Sequence, residues 1–236
     1  AMLTHKNLVH DALNINHIWE ISATDVLCHA LPLFHVHGLC FALHTSLLAG
    51  AHILMLDSFS PQRVVNALEH KADPYACTVF MAVPAMYQKV MAYLGGRKPD
   101  FEHMRLWTSG SAPLLPQDFK RITETFGQEP VEREGMTETG MNFSNPLKGK
   151  RKPGSIGYPL PDLEVRIVHP ETGTDVAPGQ TGELWLKGPA VTPGYWRKPR
   201  ETARAFEKGW FKTGDLGNID EEGYYYLTDR IKHIII

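Results

Sequence analysis

Cysteine is scarce in this 236-residue chain: Cys28, Cys40 and Cys77 are the only three, an odd number that fits no CxxC spacing. That argues against a disulfide framework and fits reduced packing residues of a cytoplasmic protein. Charge of one sign is lacking too, with 24 Lys plus Arg against 26 Asp plus Glu. No overall field draws the chain to nucleic acid or an anionic membrane, so any bound anion must be held by local groups. Long apolar runs are missing; "LCFALHTSLLAG" is too short to span a bilayer and contains His44. There is no signal-peptide pattern, no internal repeat and no low-complexity tract. The expectations are no nucleic-acid partner, no membrane span and a cytoplasmic location.

What is present is a 43% hydrophobic chain, ample for a buried core. Thr4 can cap a helix through "HKNLVHDALNINHIWE", and "DVLCHALPLF" reads as a buried strand. An apolar helix from Gly38 to Leu48 follows, closed by Gly50, and then the strand "HILMLD". Helices "SPQRVVNALEHK", "PAMYQKVMAYLG" and "LPQDFKRITETFG" alternate with strands "YACTVFMAV" and "MRLWTSG". Strand–helix alternation with short connections predicts an α/β fold with a parallel sheet, flanking helices and right-handed crossovers. From Gly149 to Gly157 the texture changes to Gly, Pro and Lys. Beyond it "LEVRIV", "GELWLKG" and "GYYYLTDR", separated by "PETGTD", "PGQTG" and "DEEGY", predict a small antiparallel, barrel-like sheet. The expected division is an α/β subdomain over 1–150, a β-rich subdomain over 151–230 and a hinge over 231–236.

Ligands of such sheets bind beyond the carboxyl ends of the strands. Two stretches each follow a predicted strand there: "TSGSAP" and, within "REGMTETGMN", the residues Thr137, Glu138 and Thr139 between Gly135 and Gly140. The second is either a surface turn or a loop gripping phosphates and a metal. His35 and His37 share a strand face, and with His29 and His44 nearby they suggest a metal. No cysteine or carboxylate cluster completes a zinc ligand set.

"LPLFHVHG", "SGSAPL", "GMTETG", "GELWLKGP", "GYW", "GWFKTGDLG" and "DRIK" occur in the order found in adenylate-forming enzymes, and over nearly its whole length the chain resembles them. Within that superfamily it resembles malonyl-CoA synthetases and, next, fatty acyl-CoA ligases. The resemblance implies attack of a carboxylate on the α-phosphorus of ATP and then transfer of the acyl group to coenzyme A. Such an attack calls for charge neutralisation and in-line positioning. It implies that Glu138 holds Mg²⁺, that Thr137 donates to the α-phosphate, and that Gly135 and Met136 bring the backbone close to the nucleotide. Ser109, Gly110, Ser111, Ala112 and Pro113 would form a wall for adenine. Asp215 would read both ribose hydroxyls, with Arg230 beside them. The plainer alternatives are a turn for Asp215 and a solvated strand end for Arg230. His35 would flank the acyl and phosphate site, with His37 a packing residue. Lys89 and Ser111 would face a second carboxylate of a malonate-like acid, with Met141 lining the same pocket, although lysine lacks the bidentate fork of arginine.

Three departures stand against the family pattern. The Ser/Thr/Gly-rich phosphate segment that precedes "LTHKNL" is absent, and the chain ends at "KHIII", just past the hinge residue Lys232, so the piece alone is expected to be catalytically incompetent. Faces exposed by such shortening leave a homodimer open. Glu134 takes the place of an aromatic that stacks on adenine, adding a negative charge near a polyanion. A non-catalytic nucleotide-binding or interaction module is therefore the competing reading.

Overall fold

The computed structural model describes residues 1–72 and 75–231; the hinge assignment of Lys232 lies outside them. Helix α1 (His5–Trp19) starts at a capping box, in which Thr4 Oγ1 accepts the Asn7 N–H while the Asn7 side chain accepts from Thr4. Strands β1 (Val26–His29), β2 (His52–Met55), β3 (Val79–Ala82) and β4 (Leu106–Ser109) are parallel neighbours in the order β2-β1-β3-β4. Residues of β1, β3 and β4 are buried on both faces, as expected of central parallel strands, with His29, Thr108 and Ser109 the polar exceptions. Helices α3 (Pro61–Glu69), α4 (Pro84–Leu94) and α5 (Pro116–Phe126) each begin with proline, whose fixed φ suits the first turn. Their apolar faces close over a core in which Trp107 stacks on Phe126 at 4.8 Å between centroids.

Three expectations need correction. "DVLCHALPLF" is a strand only to His29, because Pro32 has no N–H to give a ladder. The helix expected from Gly38 begins as a π-helical segment, His37–His44, before α2 (Thr45–Ala49). The sheet is not all parallel. β5 (Val131–Met136) lies parallel to β4, but β6 (Gly140–Ser144) turns back on it, and β7 (Tyr158–Pro159) pairs antiparallel with β6. This seven-stranded sheet thus takes its last strand from beyond residue 150.

The second sheet is antiparallel: β8 (Glu164–Val168), β9 (Gly182–Lys187), β10 (Phe206–Glu207), β11 (Trp210–Ile219) and β12 (Tyr225–Arg230), with α6 (Pro199–Ala205) before β10. Its order β10-β11-β9-β8, with β12 on β11, curls into a half-barrel. The two sheets join at a backbone seam. Ile156 N–H donates to the Tyr225 carbonyl at 3.0 Å, and Tyr225 N–H donates to the Gly157 carbonyl at 2.9 Å. Phe143 of β6 meets the Tyr225 ring at 4.9 Å in a small apolar cluster with Ile156, Leu184 and Leu186. Gly157 has φ +89°, and a Cβ there would lie 2.1 Å from the Ser144 carbonyl carbon and oxygen. Only glycine permits this approach. Gly157→Ala should lower the urea unfolding free energy by about 3 kcal/mol or more, since both backbone strain and overlap must be relieved. An unchanged midpoint would show that the packing of Gly157 against β6 is not under this constraint.

Candidate active site

Ser109 and Glu132 stand opposite each other where β4 and β5 run parallel, so both strands end on one rim. Beyond Ser109, Ser111 holds a left-handed φ of +65°, unusual for a residue with a side chain. The segment is anchored from below by Glu132, a buried carboxylate that accepts the Leu114 N–H at 3.3 Å and the Gly154 N–H at 3.1 Å. Burial pushes the Glu132 pKa up to about 7. Ser109 and Gly110 are buried, whereas Ser111, Ala112 and Pro113 are exposed.

The "REGMTETGMN" stretch is a hairpin rather than a loop: Arg133 to Met136 belong to β5, Gly140 to Asn142 belong to β6, and only Thr137 to Thr139 turn. A bulge after Glu134 shifts the register. The space a side chain at Gly135 would need is filled by the hairpin itself, with the Gly140 carbonyl oxygen at 2.7 Å and the Met141 Cα at 2.9 Å. On the inner side Asp11 of α1, buried, accepts the Met141 N–H at 2.8 Å. Burial lifts its pKa to about 7.

Thr137 is exposed at the tip, and Glu138 is held from the loop that follows β9. Tyr195 Oη donates to Glu138 Oε1 at 3.2 Å, and the Thr192 N–H donates to the Glu138 carbonyl at 2.7 Å. That loop is tied in turn to α1 by Asn7 Nδ2, which donates to the carbonyls of Pro189 and Val191. Burial, reinforced by Glu138, pushes the Tyr195 pKa up to about 12, so the phenol stays a donor. No spacing rule links Tyr195 of "GYW" to a carboxylate 57 residues earlier; the contact is purely tertiary.

Asp215 follows Gly214, left-handed at φ +75°, where the β11–β9 register shifts. It lies inside the ten-residue strand β11 and pairs in register with Arg230 of β12, whose Nε donates to Asp215 Oδ1 at 2.6 Å. Burial raises the Asp215 pKa and Arg230 pulls it back. Across the seam, burial pushes the Glu134 pKa up to about 7, against a hydrogen bond from Asn142 Nδ2 at 3.0 Å; the Asp215 charge raises it further, and Arg133 and Arg230 lower it. Glu134, Asp215 and Arg230 therefore share one electrostatic neighbourhood. Glu138 is four residues farther along the hairpin, at most about 14 Å of chain.

His37 is packed into the interior, as expected. It is 2% exposed, and its Nδ1 lies 3.2 Å from Ser111 Oγ. Burial, with the charges of Arg133, His35 and His29, drives its pKa well below the usual range, leaving a neutral ring. His35 is exposed and accepts the His37 N–H through Nδ1. Met141 is buried behind the hairpin, while Lys89 is exposed on α4 with no hydrogen bond or ion pair among the described residues. The described residues contain no group of three or more His, Cys, Asp or Glu able to hold a metal by themselves. A metal here would rely on Glu138 plus ligand oxygens. Buried polar atoms without partners, Ser109 Oγ, Thr139 Oγ1 and Asn142 Oδ1, surround the same rim and suit a polar ligand. Ionised Glu134 does not suit a polyanion.

A model of the AMP-binding enzyme family matches residues 1–196. The mitochondrial malonate–CoA ligase ACSF3 of Mus musculus is 40% identical over 100% of this chain and 45% of its own length. A long-chain-fatty-acid–CoA ligase of Bacillus subtilis (strain 168) is 35% identical over 100% of this chain and 42% of its own. The crystal structure of ATP-bound MatB from Rhodopseudomonas palustris superposes with a TM-score of 0.94 at 40% identity, covering 100% of this chain and 46% of that one. The chain thus spans about half the length of these relatives. Among the described residues no helix is long and apolar enough to cross a membrane.

Because Glu134 holds its proton more tightly when folded than its ordinary value of 4.5, its contribution to stability is complete below pH 4.5 and lost as pH rises to about 7. Urea unfolding should therefore weaken between pH 4.5 and 7, and Glu134→Gln should remove up to about 3 kcal/mol of that decline. Identical pH slopes for the variant and the parent would refute the shift.

Proposed function

This chain belongs to the AMP-binding enzymes, and we propose that it forms the nucleotide- and acid-binding part of an ATP-dependent acyl-CoA ligase that releases AMP. The supporting observation is the meeting of two elements from different sheets: the β5–β6 hairpin, ending in Thr137 and Glu138, and the Asp215–Arg230 pair. A nucleotide laid between them finds hydroxyl and carboxylate chemistry at its phosphate end and a carboxylate for its ribose at the other.

Asp215 accepts from the 2′ and 3′ hydroxyls, and Arg230 fixes the orientation of its carboxylate. Ser109, Gly110, Ala112 and Pro113 provide the flat wall for the base, Glu132 holding that segment in place. Thr137, exposed at the hairpin tip, donates to the α-phosphate. Glu138 is the carboxylate for Mg²⁺, which when bound offsets triphosphate charge. Tyr195 holds Glu138 in one rotamer before the ligand arrives. Gly135 and Met136 place the hairpin backbone alongside the phosphates. The acid carboxylate enters between the hairpin and the His35–His37 segment, near Ser111 and Met141, and in the second half-reaction coenzyme A takes the acyl group. A malonate-like acid or a fatty acid is the substrate, in keeping with what the relatives are named for.

Glu134 supports a second reading, a non-catalytic nucleotide-binding module, because its carboxylate opposes ATP when ionised. Supplying the flanking segments of a full-length ligase separates the two, since carboxylate-dependent pyrophosphate release should appear only under the first.

The direct test is nucleotide binding by this chain. Mg–ATP should bind more tightly than ATP in EDTA; Glu138→Gln should erase that difference, and Asp215→Asn should weaken both about tenfold, the worth of one or two hydrogen bonds to a charged group. Glu134→Tyr should tighten ATP binding. ATP binding indifferent to all three substitutions would overturn the assignment.

A further inference from the structure

Beyond Met136 and Gly140, the last pair of the β5–β6 hairpin, only Thr137, Glu138 and Thr139 turn the chain. Within that turn the Thr139 N–H reaches the Met136 carbonyl only at 3.4 Å, a long hydrogen bond. So lightly tied a turn does not fix Glu138 by itself; the rest of the hold comes from outside the hairpin. Asp11 of α1, buried, supplies it from the inner side. Where the bulge after Glu134 shifts the register, the Met141 N–H is given to Asp11 Oδ1 at 2.8 Å. The same carboxylate lies against Gly140, whose φ is +76° and where a Cβ would stand 2.6 Å from Oδ1.

Packing around this contact is incomplete. Two small cavities of about 10 Å³, each with room for a single water, flank Asp11. One borders Thr137 and Gly140, the other Thr139 and Met141, and both reach Ala190 in the loop after β9. The turn therefore rests on hydrogen bonds more than on close contact. Asn7, four residues before Asp11, serves the opposite wall: Nδ2 donates to the carbonyls of Pro189 and Val191, and the next residue, Thr192, gives its N–H to the Glu138 carbonyl. Residues four apart share a helix face, so one line along α1 reaches both walls of the turn. An uncharged acceptor would be cheaper to bury than a carboxylate. Burial disfavours the ionised form of Asp11, which the Met141 N–H and the Arg133 charge favour.

We infer that Asp11 is a positioning residue for the phosphate end of the nucleotide: through the Met141 N–H and Gly140 it sets the turn that presents Thr137 and Glu138. The inference rests on the nucleotide-binding reading above and adds to it a side chain that touches neither ligand nor metal. A hydrogen bond to an ionised acceptor is roughly twice as strong as one between neutral groups, so a carboxylate holds the turn harder than an amide would. The base and ribose are assigned to other elements, the β4 rim and the β11–β12 pair. Disturbing Asp11 therefore weakens the metal-dependent part of binding and spares the remainder. A residue that merely supported the fold would lower both together.

The test is calorimetric titration of the whole chain with Mg–ATP, with ATP in EDTA, and with adenosine, which carries no phosphate. Asp11→Leu, which removes the acceptor, should cut the advantage of Mg–ATP over ATP in EDTA at least about fivefold while adenosine affinity stays within about twofold. Asp11→Asn, which keeps an acceptor oxygen without its charge, should cut that advantage less, by about twofold to threefold. An advantage as large in Asp11→Leu as in the parent overturns the inference. So does an equal loss of adenosine and Mg–ATP affinity in a folded Asp11→Leu. If Asp11→Leu does not fold, Asp11→Asn decides: a reduced advantage with adenosine binding intact supports the inference, and an unchanged advantage overturns it. A parent chain that binds Mg–ATP no better than ATP in EDTA refutes the nucleotide reading beneath, whereas the outcomes above refute this inference alone.

Discussion

Between Gly157 and Tyr225 two sheets with different strand directions share two backbone hydrogen bonds, and the position of every residue assigned to the nucleotide follows from that seam. On one side the chain has just left the β5–β6 hairpin; on the other, β12 returns beside β11 to set Arg230 against Asp215. No side chain fits at 157, because the β6 backbone at Ser144 lies against it on the first-sheet side. Phe143, Ile156, Leu184 and Leu186 seal it with apolar contact. Were the seam to open, Asp215 and Glu134 would no longer share an electrostatic environment, and the two ends of the proposed nucleotide site would separate.

The same closeness explains the charge balance of the rim. Asp11, Glu132 and Glu134 are carboxyls lifted to about 7, each mainly by burial, while Arg133 is pulled down to about 10. Glu132 answers with two backbone donors and so serves structure. Among the described residues Arg133 has no hydrogen-bond partner, and Glu134 has Asn142 alone. Stabilising groups elsewhere must offset these costs, as is common where a fold holds a site ready for a ligand. Tyr195 and Thr192 add order of another kind, fastening the hairpin turn to the loop after β9 and, through Asn7, to α1.

Much of the framework was legible in the sequence because it is written in local signals. Thr4, Pro61, Pro84 and Pro116 mark helix starts, Gly50, Gly95 and Gly127 mark ends, and the buried strand "VFMA" is a continuous apolar run. The antiparallel edge was less visible. In "REGMTETGMN" charged and hydroxyl residues mask two strands whose pairing depends on the β4 rim and on Asp11. Asp215, for which a turn was the plain local alternative, follows the left-handed Gly214 at a break in the β11–β9 pairing and is held by Arg230 on the β12 side. The contact of His37 with Ser111 and the burial of Arg133 were not legible for one reason: nothing nearby in sequence reports whether a polar side chain is buried. Their environments are assembled from α1, α4, β4 and the π-helical segment. The π-helical turn itself has no clear residue signature.

The central claim is that the hairpin turn and the β11–β12 pair hold opposite ends of one magnesium nucleotide. Amide hydrogen exchange, followed as Mg–ATP is titrated into the chain, tests it most directly. The account predicts that amides of 135–141 and 213–217 gain protection together, with one shared midpoint. Protection of one segment alone, or two distinct midpoints, would contradict it.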